Sequence, residues 1–188
     1  MLEDGKTSTI EYVRKYFENK GYDVFIMNEV PTMLLNSGFN SERCGKLNFL
    51  ELIAKVELYL RNILEREAEN SLNKNIIMLF DKCPIDNMAF IEREQLDDML
   101  ERLNTSYNEI IDSYDLIFHL ETIAKDYPEL YTNKNNKYRT LDKELAIKRN
   151  DKLIEAYNKV NKRVIIGCYE NIEIKYDEVI KEIENILN

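Results

Sequence analysis

Gly5, Lys6 and Thr7, followed by Ser8, are the residue types that hold a triphosphate. In the pattern G-x-x-x-x-G-K-[ST], amides at the head of a helix cradle the anion, the lysine meets the terminal phosphates and the hydroxyl ligates magnesium. On that reading Gly5, Lys6, Thr7 and Ser8 bind the nucleotide, and Thr7 also binds the metal. The other reading is an exposed Gly-Lys-Thr at a frayed N-terminus, since so short a string also arises by chance. Asp81 closes the apolar run "NIIMLF", the place where a carboxylate holds magnesium through a water. Its alternative role is to cap the next turn. Glu29 ends an apolar strand and Asp86 stands in the break after Asp81 that Pro84 opens, and each either orients a substrate hydroxyl or a water, or caps the helical stretch beyond it. Arg139 and Arg149 either close over phosphates and stabilise developing charge or lie solvated on a helix. Tyr127, Tyr131 and Tyr138 either line a substrate pocket or staple a loop to its domain.

These residues need a frame, and the apolar spacing supplies one. Ile10, Val13 and Phe17 predict a helix over Thr7 to Lys20, stopped by Gly21. "YDVFIM" reads as a buried strand before Glu29, and "PTMLLNS" as a short helix before Gly38. A polar loop, Phe39 to Lys46, precedes a long amphipathic helix ending near Leu72, whose charged face with Glu57, Arg61, Glu65 and Glu69 is expected in solvent. "NIIMLFD" is the clearest strand. Helical pattern resumes over Gln95 to Leu103 and Tyr107 to Ile111, before the third strand, "YDLIFHL". Glu121 to Leu141 has no period and reads as an excursion of the kind that covers a site, so a lid-like segment is expected at about residues 121–150. A helix from about Asp142 to Val160, the strand "RVIIGC" and a final amphipathic helix complete the chain. Apolar strands alternating with helices predict an α/β three-layer domain with a mostly parallel sheet.

With 188 residues, 44% of them apolar, one compact domain over 1–188 is expected. The 26 basic and 35 acidic residues give a net charge of −9 with no clustered Lys and Arg, which argues against nucleic-acid binding. Cys44, Cys83 and Cys168 are scattered and fit reduced thiols in a cytoplasmic protein. No apolar run approaches a membrane span, and no membrane partner is expected. The single histidine, His119, leaves no His-based metal site or Ser-His triad and is expected to be packed.

The strings "GKTS", "GYDVFIMNEVPTMLLNSG", "IIMLFDKCPIDNMAF", "YDLIFHLETIAKD", "YTNKNNKYRT" and "AIKRNDKLIEAYNKV" give the sequence a likeness to a known group. In their order and spacing, over almost the whole chain, it resembles the NadR-like AAA-type ATP-binding domains, a group similar to the ribosylnicotinamide kinase part of bifunctional NAD-biosynthesis proteins. The resemblance implies a P-loop NTPase related in shape to nucleoside kinases, with sheet order 2-3-1-4-5, ATP and magnesium at the strand ends, and an arginine-bearing lid. Gly5, Lys6 and Thr7 match the end of the phosphate loop and Glu29 the acid after the second strand. Asp81 and Asp86 match a pattern close to D-R-G-x-x-D, and Arg139 matches the lid arginine. Lys82 and Cys83 depart from that pattern's Arg and Gly, and Arg149 fits its place loosely.

The phosphate-loop pattern's leading glycine falls one position before Met1. The strand that precedes the loop in such folds, the middle one of the sheet, is then missing from this chain. A start chosen too far downstream, a truncated chain and a decayed relative each fit. For these residues alone, weak nucleotide affinity and a rearranged or gap-bearing sheet are expected. The functional expectation is an ATP-binding P-loop NTPase, an ATPase or a nucleoside-like small-molecule kinase. Its partners are a nucleoside triphosphate with magnesium and an unknown small-molecule acceptor. The rivals are a non-catalytic interaction module, using the Leu47 to Leu72 helix or the acidic surface, and a slow nucleotide switch.

Overall fold

A computed structural model describes residues 5–131, 142–169 and 171–187. Helix α1 (Gly5–Asn19) buries Val13 and Phe17, two of its periodic apolar residues. It ends as the glycine predicts. Gly21 takes a φ of +86°, the Gly21 amide donates to the Glu18 carbonyl and the Tyr22 amide to the Phe17 carbonyl, so the last carbonyls are satisfied in a Schellman turn. That turn sends the chain directly into β1 (Asp23–Met27).

From β1 the chain runs through α2 (Val30–Asn36), α3 (Ser41–Cys44) and the long α4 (Lys46–Glu69) to β2 (Ile76–Phe80). The two strands pair in parallel with Asp23 opposite Ile76 and Met27 opposite Phe80. A parallel return needs a crossover, and α4 provides it. A 3-10 turn (Pro84–Ala89), α5 (Arg93–Arg102) and α6 (Tyr107–Asp112) lead to β3 (Ile117–Leu120). After α7 (Ile123–Asp126) and α8 (Lys143–Ala156), β4 (Arg163–Ile166) pairs in parallel with β3, and α9 (Ile172–Leu187) follows.

All described strand pairing is therefore parallel, but it forms two separate pairs, β1–β2 and β3–β4. In β2 the amides of Asp81 and its alternate predecessors face β1, which leaves Ile76, Met78 and Phe80 pointing their backbone groups away from it. Likewise Ile117, His119 and Glu121 face β4, and Phe118 and Leu120 point the other way. The free edges of β2 and β3 line one cavity of about 1180 Å³.

Two clusters of buried side chains hold the halves. One joins α1 and α9 to the strands through Val13, Phe17, Ile77, Ile166, Val179 and Ile183. Tyr12 stacks on Tyr176 at 4.4 Å between ring centres, which fastens the two helices at the surface. The other cluster gathers α2, α4, α5, α6 and the 3-10 turn around Leu96, Met99, Leu100 and Ile85, all within 1% of full burial. Burying side chains of this kind contributes roughly 1.5–3 kcal/mol each.

Several sequence expectations need correction. Residues 39–46 include the helical turn α3, where the Asn40 side chain caps by accepting from the Arg43 amide at 2.9 Å. Within the stretch read as without period, residues 123–126 form the helical turn α7, which the Thr122 side chain caps, and Asp142 caps the expected helix α8. Residues 132–141 of it, with Tyr138 and Arg139, lie outside the described residues. The largest correction concerns α4: Glu57 and Arg61, expected in solvent, are 2% and 9% exposed.

Candidate functional site

Lys6, in the first turn of α1, forms an ion pair with Asp81, the residue directly after β2. Asp81 is held in place by its own amide, which donates to the Met27 carbonyl at 3.0 Å and extends the ladder by one bond. Its side chain is 8% exposed, while that of Lys6 is 41% exposed. Because Lys6 lines the cavity, much of that area belongs to the cavity wall, so the ammonium is crowded by protein and still open to an incoming group. Burial by itself would lower the Lys6 pKa, but Asp81, with Glu29 and Asp86 behind it, raises it above the ordinary lysine value. Lys6 is a fixed cation.

Glu29 stands between β1 and α2, whose first turn it precedes without a side-chain cap bond to the helix backbone. Its Oε2 accepts from the Thr32 hydroxyl at 2.7 Å, and its Oε1 lies 3.3 Å from the Lys82 ammonium. Burial would raise its pKa, but Lys82, Thr32 and Lys6 together pull it below the usual carboxylate value. Two lysine–carboxylate pairs thus sit side by side at the ends of β1 and β2.

Asp86 takes the capping role. Its Oδ2 accepts from the Cys83 amide at 3.2 Å, closing the first turn of the 3-10 segment, and its Oδ1 accepts from the Tyr157 hydroxyl at 2.6 Å. Burial pushes the Cys83 thiol up to about 12, with Asp86 adding to it, so this cysteine is an inert packing residue.

Glu57 lies on the same cavity wall, on α4. Its Oε2 is fully buried and has no hydrogen-bond partner among the described residues. Burial first, then the charge of Asp86, pushes its pKa up to about 8, against the partial opposition of Lys82 and Lys6. Arg61 is one turn along α4, at the spacing where a Glu–Arg pair forms on an isolated helix. Instead Arg61 donates to Glu65 at 2.6 Å and to the Ser113 carbonyl at 2.5 Å, and its guanidinium lies 4.2 Å from the Tyr114 ring centre. A buried, unpartnered polar atom costs about 1–3 kcal/mol. The signal for this burial is present in the sequence: Ala54, Glu57, Arg61 and Ala68 share a 3.6-residue stripe, and the two alanines, both buried, mark a closely packed face.

The structure therefore brings Lys6, Glu29, Asp81 and Asp86 to one cavity. Arg149 reaches it too, with its guanidinium 4.7 Å from the Phe90 ring centre, and so does Tyr131. Ser8 is half-buried and outside the cavity wall, and Thr7 is exposed. On this face of α1 the cavity receives Thr9, which sequence reasoning passed over, together with Ile10 and Val13. Gly5 opens α1. His119 is packed as expected, with Nε2 3.0 Å from Oδ1 of Asn150.

Among the described residues, no three His, Cys, Asp or Glu side chains gather to hold a metal ion, and no helix is long and apolar enough to cross a membrane. No curated protein and no solved structure matches the chain. A family model described as an AAA domain matches residues 4–173, from the residue before the Gly-Lys-Thr string into α9. With Lys6 and Asp81 paired at the mouth of a cavity between parallel strands, and with that match over most of its length, the chain belongs to the AAA domain family of nucleotide-binding P-loop NTPases.

Proposed function

We propose that the protein binds ATP with magnesium at the ends of β1 and β2, where Lys6, Glu29 and Asp81 meet at the cavity, and acts as an ATPase or a small-molecule kinase, as a NadR-like domain over residues 1–188. The observation that carries this reading is the Lys6–Asp81 pair in a cavity shared with Glu29 and Asp86. An ion pair at this position is separable: a phosphate competes for the lysine, and a divalent cation for the aspartate. Magnesium at a nucleotide takes one or two carboxylates and otherwise phosphate oxygens and waters, so Asp81 suffices as its protein ligand. Thr7, exposed at the head of α1, offers its hydroxyl as a further ligand beside Asp81. Bound ATP with its metal supplies the phosphoryl group and neutralises its charge.

The chain's own residues then have distinct tasks. Lys6 holds the terminal phosphates. Glu29, kept ionised by Lys82 and Thr32, orients the attacking water or hydroxyl. Asp86 fixes the turn after β2 through Cys83 and Tyr157, and in this reading it positions neighbouring groups. Arg149, on α8, adds a cation to the opposite wall for the charge that spreads over the phosphate oxygens. Arg139 belongs to the proposed lid. The test is a titration with a fluorescent ATP analogue, with and without magnesium. Magnesium-dependent binding lost in Lys6→Ala supports the reading; binding indifferent to both overturns it. Release of inorganic phosphate against transfer to an added acceptor separates ATPase from kinase, and tight binding with neither identifies a switch.

A further inference from the structure

The cations that line the cavity differ in what already holds them. Lys6 is paired with Asp81, Lys82 with Glu29, and Arg61 with Glu65 and the Ser113 carbonyl. Lys46 donates to the Phe90 carbonyl at 2.6 Å, and Arg149 lies against the Phe90 ring. Lys175 lines the same cavity, is 5% exposed, and has no ion pair, hydrogen bond or ring contact among the described residues. It is the fourth residue of α9, near the positive end of the helix dipole, where a cation is disfavoured. The group that acts on it is the Cys168 thiol, which donates to the Glu121 carbonyl at 3.4 Å. Burial holds that thiol above its ordinary pKa, so it stays protonated and supplies no anion. A buried cation without a counter-charge is costly, and such an exception marks a place where a further group belongs.

The Lys175 ammonium is also within reach. The fully buried side-chain nitrogens and oxygens without a hydrogen-bond partner belong to Glu57, Asp81 and Asn150. Lys175 Nζ is equally unpartnered and is not one of them, so it keeps open surface. Val179, Ile183 and Ile186, which follow Lys175 at helical spacing, line the cavity too, so that surface faces the cavity.

We infer that Lys175 is the binding point for an oxyanion, the carboxylate or phosphate group of a small ligand lying against α9, and that this site is separate from Lys6 and Asp81. An oxyanion supplies the charge that this cation lacks and accepts its N–H groups in charge-assisted hydrogen bonds, whereas a neutral hydroxyl leaves the charge unbalanced. Burial pulls the Lys175 pKa below the ordinary lysine value, and a bound anion restores the charged form. The site does not depend on the proposed phosphoryl transfer.

The test follows the full chain by NMR at neutral pH, with carbon-13 at the lysine ε-carbons; the Lys175 signal is the one lost in Lys175→Met. Inorganic phosphate or succinate is expected to move that signal saturably, the two arms telling phosphate from carboxylate, while ribose and matched potassium chloride leave it in place. Lys6→Ala should change the oxyanion's dissociation constant less than about fivefold, and Lys175→Met should weaken a fluorescent ATP analogue with magnesium by less than the same factor. Having lost an unpaired buried charge, Lys175→Met should melt no lower than the wild type. Three results overturn the inference. The first is no saturable shift with either oxyanion. The second is a larger change in either cross-test, which would place Lys175 in the nucleotide site. The third is a lower melting temperature in Lys175→Met, which would show that the fold itself uses the charge. If the ATP analogue fails to bind the wild type while the Lys175 signal still shifts, the nucleotide reading falls and the oxyanion site stands.

Discussion

Two walls of one cavity treat their acids in opposite ways. At the ends of β1 and β2, Glu29 and Asp81 each face a lysine, and Glu29 stays ionised below the usual carboxylate pKa. On α4 and the 3-10 turn, Glu57 and Asp86 have no ion-paired cation among the described residues; Glu57 is lifted to about 8, and burial with Asp86 pushes Tyr157 well above its ordinary value. The first wall holds charge in separable pairs, and the second holds a proton on Glu57. Ligands that carry their own charge exchange with the first at little desolvation cost, whereas neutral hydrogen-bonding ligands suit the second.

Removing a lysine from the paired wall should make it resemble the other, and this gives the largest expected effect. Lys6→Ala is expected to weaken the fluorescent ATP analogue by at least about 100-fold, which corresponds to roughly 3 kcal/mol. It also strands Asp81, so stability in urea should fall by about 1–2 kcal/mol, less than for a fully buried pair because Lys6 is 41% exposed. Lys82→Ala should do less. Glu29 keeps Thr32, and both members of that pair are about a quarter exposed (26% and 27%), so a loss below about 1 kcal/mol is expected in the same urea experiment. If Lys82→Ala proved the more damaging to ATP binding, the two pairs would have exchanged roles.

The proton-storing wall predicts a pH dependence of definite sign. Glu57 has a folded pKa of about 8 against 4.5 for the ordinary group, so between these values the folded state holds a proton that the unfolded chain has released. Stability therefore declines as pH rises through that window and levels off above it, by a few kcal/mol in total, roughly 1.4 kcal/mol for each pH unit that the window spans. Glu57→Gln imitates the protonated form. It should match the wild type near the lower end of the window and exceed it by a few kcal/mol above the upper end. Urea unfolding across the window checks this; a variant parallel to the wild type at every pH would show that Glu57 titrates normally.

The sequence revealed the paired wall and concealed the other. Asp81 was legible because a solid apolar run ending in an acid fixes both the strand and the residue that leaves it, and Lys6 because glycine, lysine and threonine opened a periodic helix. The placement of Thr7 was not legible: adjacency in sequence says nothing about helix phase, and a step of about 100° per residue turns it outward while Thr9 turns in. Glu57 and Arg61 were hidden for a similar reason. Charged residues four apart on a long helix normally face water, and the burial here depends on Phe80 and Tyr114 arriving from β2 and the loop before β3 to cover Arg61. The buried alanines of their stripe, Ala54 and Ala68, are the one local hint of this face, and what covers it is brought in by tertiary structure. Asp86 left both its readings open because a carboxylate after a proline turn serves equally as a cap or a ligand until Tyr157 is seen against it.

The smallest effect concerns the backbone between the walls. Met78 and Phe80 of β2, and Phe118 and Leu120 of β3, turn their amides to the open edges that line the cavity, whereas Leu79 and His119 turn theirs into the ladders. Hydrogen exchange should separate the two sets. Ladder amides open only with the strand pair, while edge amides exchange through the cavity, so a difference of about tenfold to a hundredfold in protection is expected within each strand. The comparison between walls sharpens it further: the pair at the end of β2, Lys6–Asp81, ties that strand to α1, whereas the pair at the end of β3, Glu121–Lys125, is local to the next turn, so the β2 ladder should be the more protected of the two. Equal, high protection at alternate residues of both strands would mean that the edges are covered in solution, and that the two walls face a narrower space than the cavity shows.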